Sequence, residues 1–342
     1  MLVPIVRPTL RRKDYNSVLN CLVTDQISAG PLNQEFAAAL SRTLGVAGGV
    51  GLISYRSCIH CAFQLLELER GDGVILSALA PEEYLRVIEA RGLVAMTADV
   101  DPQRPLLSLD SVKKHLGEGA KAIVLYYTLG ALPSGDDLFS LGVPVIEDVT
   151  QAVGGRWGEQ PCGARGRAAV LSLDPGRAIT AGCGGAVFSS DRRGGRTLKE
   201  IAARGYGKEF LPDMNAALGI NQVKELPRFL GKRNEIEEVF REALLRSRHA
   251  PLLEEGASVN SSFPILVKQG RAEVRRYAEK RGIQTEPAFA DAVLSVEGAS
   301  STAAGSYPNA EQLLRRTLLF PLYPSLARKD VHLLCKVLST LP

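Results

Sequence analysis

Tryptophan is almost missing from this chain, with one in 342 residues, and methionine and histidine are scarce at three and four. Long apolar runs are missing as well. The longest stretch free of charge, Ala122 to Gly135, falls short of the ~20 residues a membrane helix needs and is interrupted by Gly and Pro, so no membrane span is expected. There is no long basic run: 41 basic residues set against 37 acidic ones leave a net charge of +4, which excludes a nucleic-acid footprint of the usual kind. The six cysteines lack the spacing of a disulfide framework, in a chain large enough to need none, so free thiols in a reducing compartment are expected. The opening Met1-Leu-Val-Pro does not read as a signal peptide, and a soluble cytoplasmic protein is the expectation. One group, Cys58-Ile59-His60-Cys61, offers three metal-ligand types. A lone C-x-x-C without its second half, on a predicted helix, reads instead as buried thiols facing a sheet, and no metal is expected.

What is present is material for a large core, with 45% hydrophobic and 23% charged residues. Val- and Ile-rich runs predict strands at 50–54, 74–76, 94–98, 122–126, 143–147, 169–172 and 186–189. Phe36/Leu40/Leu44, Ile59/Phe63/Leu66, Leu85/Ile88 and Val112/Leu116 recur between them at helical spacing. This alternation predicts an α/β fold: a mostly parallel sheet with helices on both faces. The strand at 186–189 follows its predecessor with no helix between, so it need not be parallel. Beyond Asn215 a long helical run, with Pro227 as a kink or break, leads to one clear strand at 263–267 and helices near 271–281, 309–316 and 329–338, a smaller α+β lobe. The expected organisation is an N-terminal arm (1–30), a large α/β domain (31–228) and a small C-terminal α+β domain (229–342). Trp157 is expected to pack rather than bind, and His115, His249 and His332 to serve packing or surface roles.

Open sheets of this kind bind ligands beyond the carboxyl ends of their strands. Three segments stand there: Ser54-Tyr55-Arg56-Ser57, opening a helix; Glu147-Asp148-Val149-Thr150-Gln151-Ala152; and the loop S-L-D-P-G-R-A-I-T-A-G-C-G-G at 172–185, which presents Arg177. They are expected to converge on one pocket.

The string V-I-E-D-V-T-Q-A-V-G-G (145–155), the glycines at 163 and 166 and that loop together resemble the fold-type I PLP-dependent sugar aminotransferases of the DegT/StrS family. G-D-G-V-I-L at 71–76, A-D-V-D at 98–101, A-A-L-G-I-N-Q-V-K-E-L at 216–226, and the C-terminal Y-P-N-A-E-Q-L-L and F-P-L-Y-P-S-L extend the resemblance over nearly the whole chain. It implies a homodimer that moves an amino group from glutamate onto a keto group of a nucleotide-linked sugar. It also implies a set of parts: a Schiff-base lysine, an aspartate on the cofactor's pyridinium nitrogen, a glutamine by the ring, a Gly-Thr and a loop serine for the phosphate, and a stacking aromatic. Asp148, Gln151 and Ser172 match their positions. Arg177 stands at the lysine position, Arg56-Ser57 replaces Gly-Thr, Pro81 falls where the aromatic is expected, and Arg167 stands where the family usually carries an aspartate. The family's Asn-Arg loop aligns near Lys208 to Phe210, and Lys208 is the one nearby lysine able in principle to substitute.

Guanidinium is effectively never neutral, so Arg177 can neither form a stable Schiff base nor take a proton from a substrate carbon. Two site readings follow. In one, Arg177 fills the space itself and pairs bidentately with Asp148. In the other, Arg56, Arg177 and Ser172 form an anion cup that admits PLP or PMP without a covalent link, or a sugar nucleotide. Two functions stand beside them: a binding or regulatory subunit in sugar or polysaccharide metabolism, perhaps partnered with an active relative, or a PLP- or PMP-dependent aminotransferase or dehydratase using a non-standard base.

Overall fold

The structure, a computed structural model, describes residues 2–133, 135, 138–205, 209–259, 261–297 and 306–342. Lys208 therefore lies outside the described residues. In chain order the first elements are α1 (Arg12–Val23), α2 (Pro31–Leu44), β1 (Gly48–Leu52), α3 (Tyr55–Leu65), β2 (Gly73–Ser77), α4 (Glu82–Ala90), β3 (Val94–Ala98), α5 (Leu109–Gly117), β4 (Ala120–Tyr126) and β5 (Val145–Asp148). There follow the short hairpin β6 (Arg156–Trp157) and β7 (Gln160–Pro161), then β8 (Ala168–Ser172), β9 (Gly185–Ser189), α6 (Arg192–Gly205) and α7 (Asp213–Leu244).

Seven strands form one sheet in the order β1-β9-β8-β5-β4-β2-β3. The pairs from β8 through β3 are parallel, whereas β9 runs antiparallel to both β8 and β1. The absence of a helix between β8 and β9 explains this, because a short loop can only turn the chain back on itself. Gly182 and Gly184 make that turn at φ +86° and +89°, in the left-handed region glycine tolerates. Gly185 adopts no such φ. It is needed for space, since a Cβ there would lie 2.8 Å from the Leu171 carbonyl oxygen. Both faces of the sheet are covered: one packs on α2 and α7 through Phe36, Leu40, Ile220 and Leu226, the other on α3 and α4 through Ile59, Phe63, Tyr84 and Val87.

The small lobe holds more strand than the sequence pattern predicts. A four-stranded antiparallel sheet is ordered β10 (Ala250–Pro251), β11 (Phe263–Leu266), β13 (Thr317–Phe320), β12 (Glu286–Pro287), with helices at Arg271–Glu279, Pro308–Arg316 and Arg328–Leu338. Two of these strands have only two residues, too short for a period-two pattern to register. Pro227 does not end the long helix: α7 runs unbroken through it, so the boundary expected at 228/229 falls inside one continuous helix. At the other end of the chain, Val3 pairs with Ile283, tying the N-terminus to the small lobe.

Trp157 packs as expected, 5.3 Å from the Phe139 ring centroid with the Arg165 guanidinium over its face. His115 bonds Glu118 and the Thr97 carbonyl, and His249 bonds the Pro342 carbonyl. Cys58 and Cys61 are fully buried on α3, and burial pushes the Cys61 thiol up to about 12. Among the described residues no helix is long and apolar enough to cross a membrane.

Candidate functional site

Strands β4, β5 and β8 end side by side, which sets Tyr126 opposite Asp148 in register and brings Ser172 to the same edge. Antiparallel β9 restores β1 to the direction of β8, so α3 opens at that edge too, capped by Ser54. The three segments singled out in the sequence therefore converge on a cavity of about 450 Å³. Its walls include Tyr55, Arg56, Pro81, Tyr126, Asp174 and Arg177. A second cavity of about 390 Å³ adjoins it on the small-lobe side and shares Pro81, Tyr126, Thr150, Arg177 and Asp291.

Asp148 is fully buried at the end of β5. Its Oδ2 accepts hydrogen bonds from the Tyr55 and Tyr84 hydroxyls, the latter at 2.7 Å, and its Oδ1 accepts from the Thr150 backbone N–H at 2.9 Å. Burial raises the Asp148 carboxyl above its ordinary value, and the bonds from Thr150, Tyr55 and Tyr84 pull against that rise. The two tyrosine rings meet edge to face at 6.4 Å, and Tyr84 makes a second such contact with Phe63. The bidentate Arg177–Asp148 pair anticipated from the sequence is thus not formed. Two neutral hydroxyls satisfy the carboxylate where one guanidinium was expected.

The anion cup is corrected as well. Arg56 turns to Glu83 through Nε at 2.6 Å and Nη2 at 3.0 Å. The Ser57 hydroxyl donates to Glu209 at 2.5 Å, and the Ser172 hydroxyl donates to Asp174 at 2.7 Å. Arg56, Ser57 and Ser172 therefore each already carry a carboxylate partner. Gln151 accepts from the Leu129 backbone N–H, which commits its carbonyl oxygen to the protein. Pro81 caps α4 and lines both cavities, contributing no ring for stacking; the aromatic that enters the site from this element is Tyr84. Arg167 bonds Asp191 and Ser189 at the far end of β8. Buried Glu147 organises the turn carrying Gly163 and Gly166, accepting bonds from both backbone N–H groups and from Tyr127.

Apart from its backbone N–H, which donates to the Asp174 carbonyl at 3.3 Å, Arg177 has neither a hydrogen bond nor an ion pair with any described residue. Burial opposes its charge, but Tyr126, Tyr55, Asp174 and Asp148 outweigh burial and hold its pKa above the ordinary value. Tyr126, 7% exposed, has no partner for its hydroxyl among the described residues. Sequence reasoning passed over Tyr55, Tyr84, Tyr126 and Glu209. Tyr55 had a signal, standing at the helix opening in S-Y-R-S, whereas Tyr84 is separated from the motifs by a turn of helix.

Fold and site together define a fold-type I aminotransferase architecture: a mostly parallel sheet with an antiparallel small-lobe sheet and a pocket at the strand ends. The DegT/DnrJ/EryC1/StrS aminotransferase family profile matches residues 8–339, and the chain belongs to that family. Among solved structures it is similar to the sugar aminotransferase Spr1654 of Streptococcus pneumoniae in its PMP form (18% identity, TM-score 0.91, covering 100% of this chain and 98% of that one). It is similar also to the aminotransferase TlmJ of Streptoalloteichus hindustanus (26%, 0.88, 99% and 98%). The GDP-4-keto-6-deoxy-D-mannose-3-dehydratase of E. coli with bound hydrated PLP gives 20%, 0.88, 99% and 100%.

The residues present do not fit the PMP of the Spr1654 structure or the PLP of the E. coli dehydratase structure. The buried carboxylate that would face a pyridinium nitrogen has its donors already. The hydroxyls expected to hold a phosphate are bonded to carboxylates, and the loop position expected from the resemblance to carry the covalent anchor holds Arg177.

Proposed function

We propose that this chain has left transamination and serves as a binding or regulatory subunit in sugar or polysaccharide metabolism. The observation carrying this reading is the engagement of Asp148 by the Tyr55 and Tyr84 hydroxyls, both on Oδ2. With the Thr150 N–H on Oδ1, three of its roughly four acceptor sites are filled, and a ring nitrogen approaching Oδ2 would compete with both hydroxyls. Arg177 supports the reading from a second direction, because a permanently charged side chain supplies neither a nucleophile nor a base. The sugar context comes from the family and from relatives named for sugar amination and dehydration. A homodimer in the cytoplasm, able to pair with an active family member, completes the proposal.

The test is a titration of purified protein with PLP, followed by absorbance and by borohydride trapping. No borohydride-sensitive band and no covalent adduct are expected. An adduct at any lysine, Lys208 included, would sink the proposal, as would noncovalent PMP binding with turnover of a keto sugar. Arg177→Lys is expected to stay without the band, since Tyr55, Tyr84, Glu209 and Asp174 remain in place.

A further inference from the structure

The large sheet ends at β1, which pairs with β9 on one side; on the other, a single bridge joins Leu52 to Phe210. In an antiparallel pair, residues that bond across to the partner strand alternate with residues whose N–H and C=O face outward. At Gly51 the outward groups are taken, because the Asn33 carboxamide accepts from the N–H at 3.3 Å and donates to the C=O at 3.0 Å. Gly49, two residues back, faces the same way. It is buried, and its N–H and C=O have no partner among the described residues. Buried backbone groups are almost always paired, so this position calls for a donor and an acceptor together.

Beside Gly49 lies a groove of about 680 Å³, with α2 along one wall and Lys199 of α6 on another. Its walls are small or apolar, among them Ala37, Ala38, Val50 and Phe210, and a Cβ added at Gly48 would meet nothing within 4 Å. Two cations, Arg42 and Lys199, line the groove, and no described carboxylate does. Along α6, Arg192, Arg196 and Lys199 recur at helical spacing on one face. All four of these cationic side chains are exposed, and none has a hydrogen bond or ion pair with a described residue. The groove is therefore positive, with its charge left uncompensated by its own walls.

Charge and backbone together select the occupant. A second copy of this chain would set the same cations against each other across a two-fold axis. A phosphate of a nucleic acid accepts hydrogen bonds but brings no donor to the Gly49 carbonyl. An extended peptide brings an N–H and a C=O on one residue, alternate apolar side chains for the alanine-lined walls, and carboxylates for Arg42 and Lys199. We infer that this groove docks an extended acidic segment of a partner protein, added as a short strand beside Gly49. The groove shares no lining residue with the two cavities at the strand ends, so the inference goes beyond the proposed function and does not depend on whether those cavities admit PLP.

Fluorescence anisotropy of a labelled hexapeptide of alternating glutamate and valine tests it on the full chain. The acidic peptide is expected to bind at least about tenfold more tightly than a lysine-valine hexapeptide, and than the acidic peptide with its valine amides N-methylated. It is likewise expected to outcompete a single-stranded oligonucleotide and an oligogalacturonate. Arg42→Glu/Lys199→Glu is expected to weaken the acidic peptide by about tenfold or more, with dichroism, melting temperature and sedimentation as in the wild type. Ala38→Trp, which fills the groove and leaves its charge alone, is expected to weaken it by a similar factor of about ten and carries the test should the double variant fail to fold. No binding of the acidic peptide, equal binding of its N-methylated form, tighter binding of either polymer, or affinity unchanged in the variants would each overturn the inference. A change of sedimentation in the folded double variant would overturn it too, by assigning the groove to a second copy. PLP trapping in the same preparation overturns the proposed function and leaves this inference standing.

Discussion

A buried carboxylate is stable only with donors around it, and the donors chosen at Asp148 decide what else the site can do. Removing one of them has a defined effect. Tyr84→Phe is expected to reduce stability by about 1–3 kcal/mol at neutral pH, read from urea denaturation, because Asp148 loses a hydrogen bond that holds its charge. The dependence on pH follows from the direction of the Asp148 shift. Burial raises that carboxyl in the folded state, so the folded protein retains its proton longer than the unfolded chain, and stability falls as pH rises from about 3.8 through the folded value. In the variant the carboxyl rises further and the fall is deeper. The gap between variant and wild type is therefore narrow in acid and widest at neutral pH; a constant gap would mean that Tyr84 acts through packing alone. Asp148 itself was legible in E-D-V-T-Q, but its partners were not, because hydroxyls arriving from α3 and α4 carry no sequence spacing relative to β5.

At the scale of elements, the strands of the large sheet were legible to within two residues at each end, since buried parallel strands read as continuous apolar runs. In the small lobe β11 was legible, the two-residue β10 and β12 were hidden by their shortness, and the continuity of α7 was hidden by its proline. Pro227 lacks an N–H, so the Val223 carbonyl has no intrahelical donor, yet the helix continues for more than four turns beyond it. Packing of Leu226, Phe229, Ile236 and Phe240 on both lobes outweighs the local preference. Pro227→Ala is accordingly expected to stabilise the protein by about 1–3 kcal/mol, less about 0.4–1 kcal/mol from the freer unfolded chain, seen as a higher urea midpoint. A lower midpoint would show that the proline makes a contact of its own that alanine cannot replace.

At the scale of the whole molecule, α1 leaves Tyr15, Leu19, Leu22 and Val23 exposed, and a groove of about 480 Å³ lies between this face and Leu218 of α7. An apolar face of this kind fits the proposed homodimer. Sedimentation is expected to give a dimer for the wild type and a monomer for Leu19→Asp/Leu22→Asp with dichroism unchanged; a monomeric wild type would remove that part of the proposal. The tyrosine pair on Asp148 also bears on the chain's history. Restoring a lysine at 177 leaves Tyr55 and Tyr84 on the carboxylate, Glu209 on Ser57 and Asp174 on Ser172, and none of these is relieved by changing another. On the proposed reading, a return to transamination would require several substitutions at once. The clamp would then act as an evolutionary ratchet, holding the chain to the use its pocket serves.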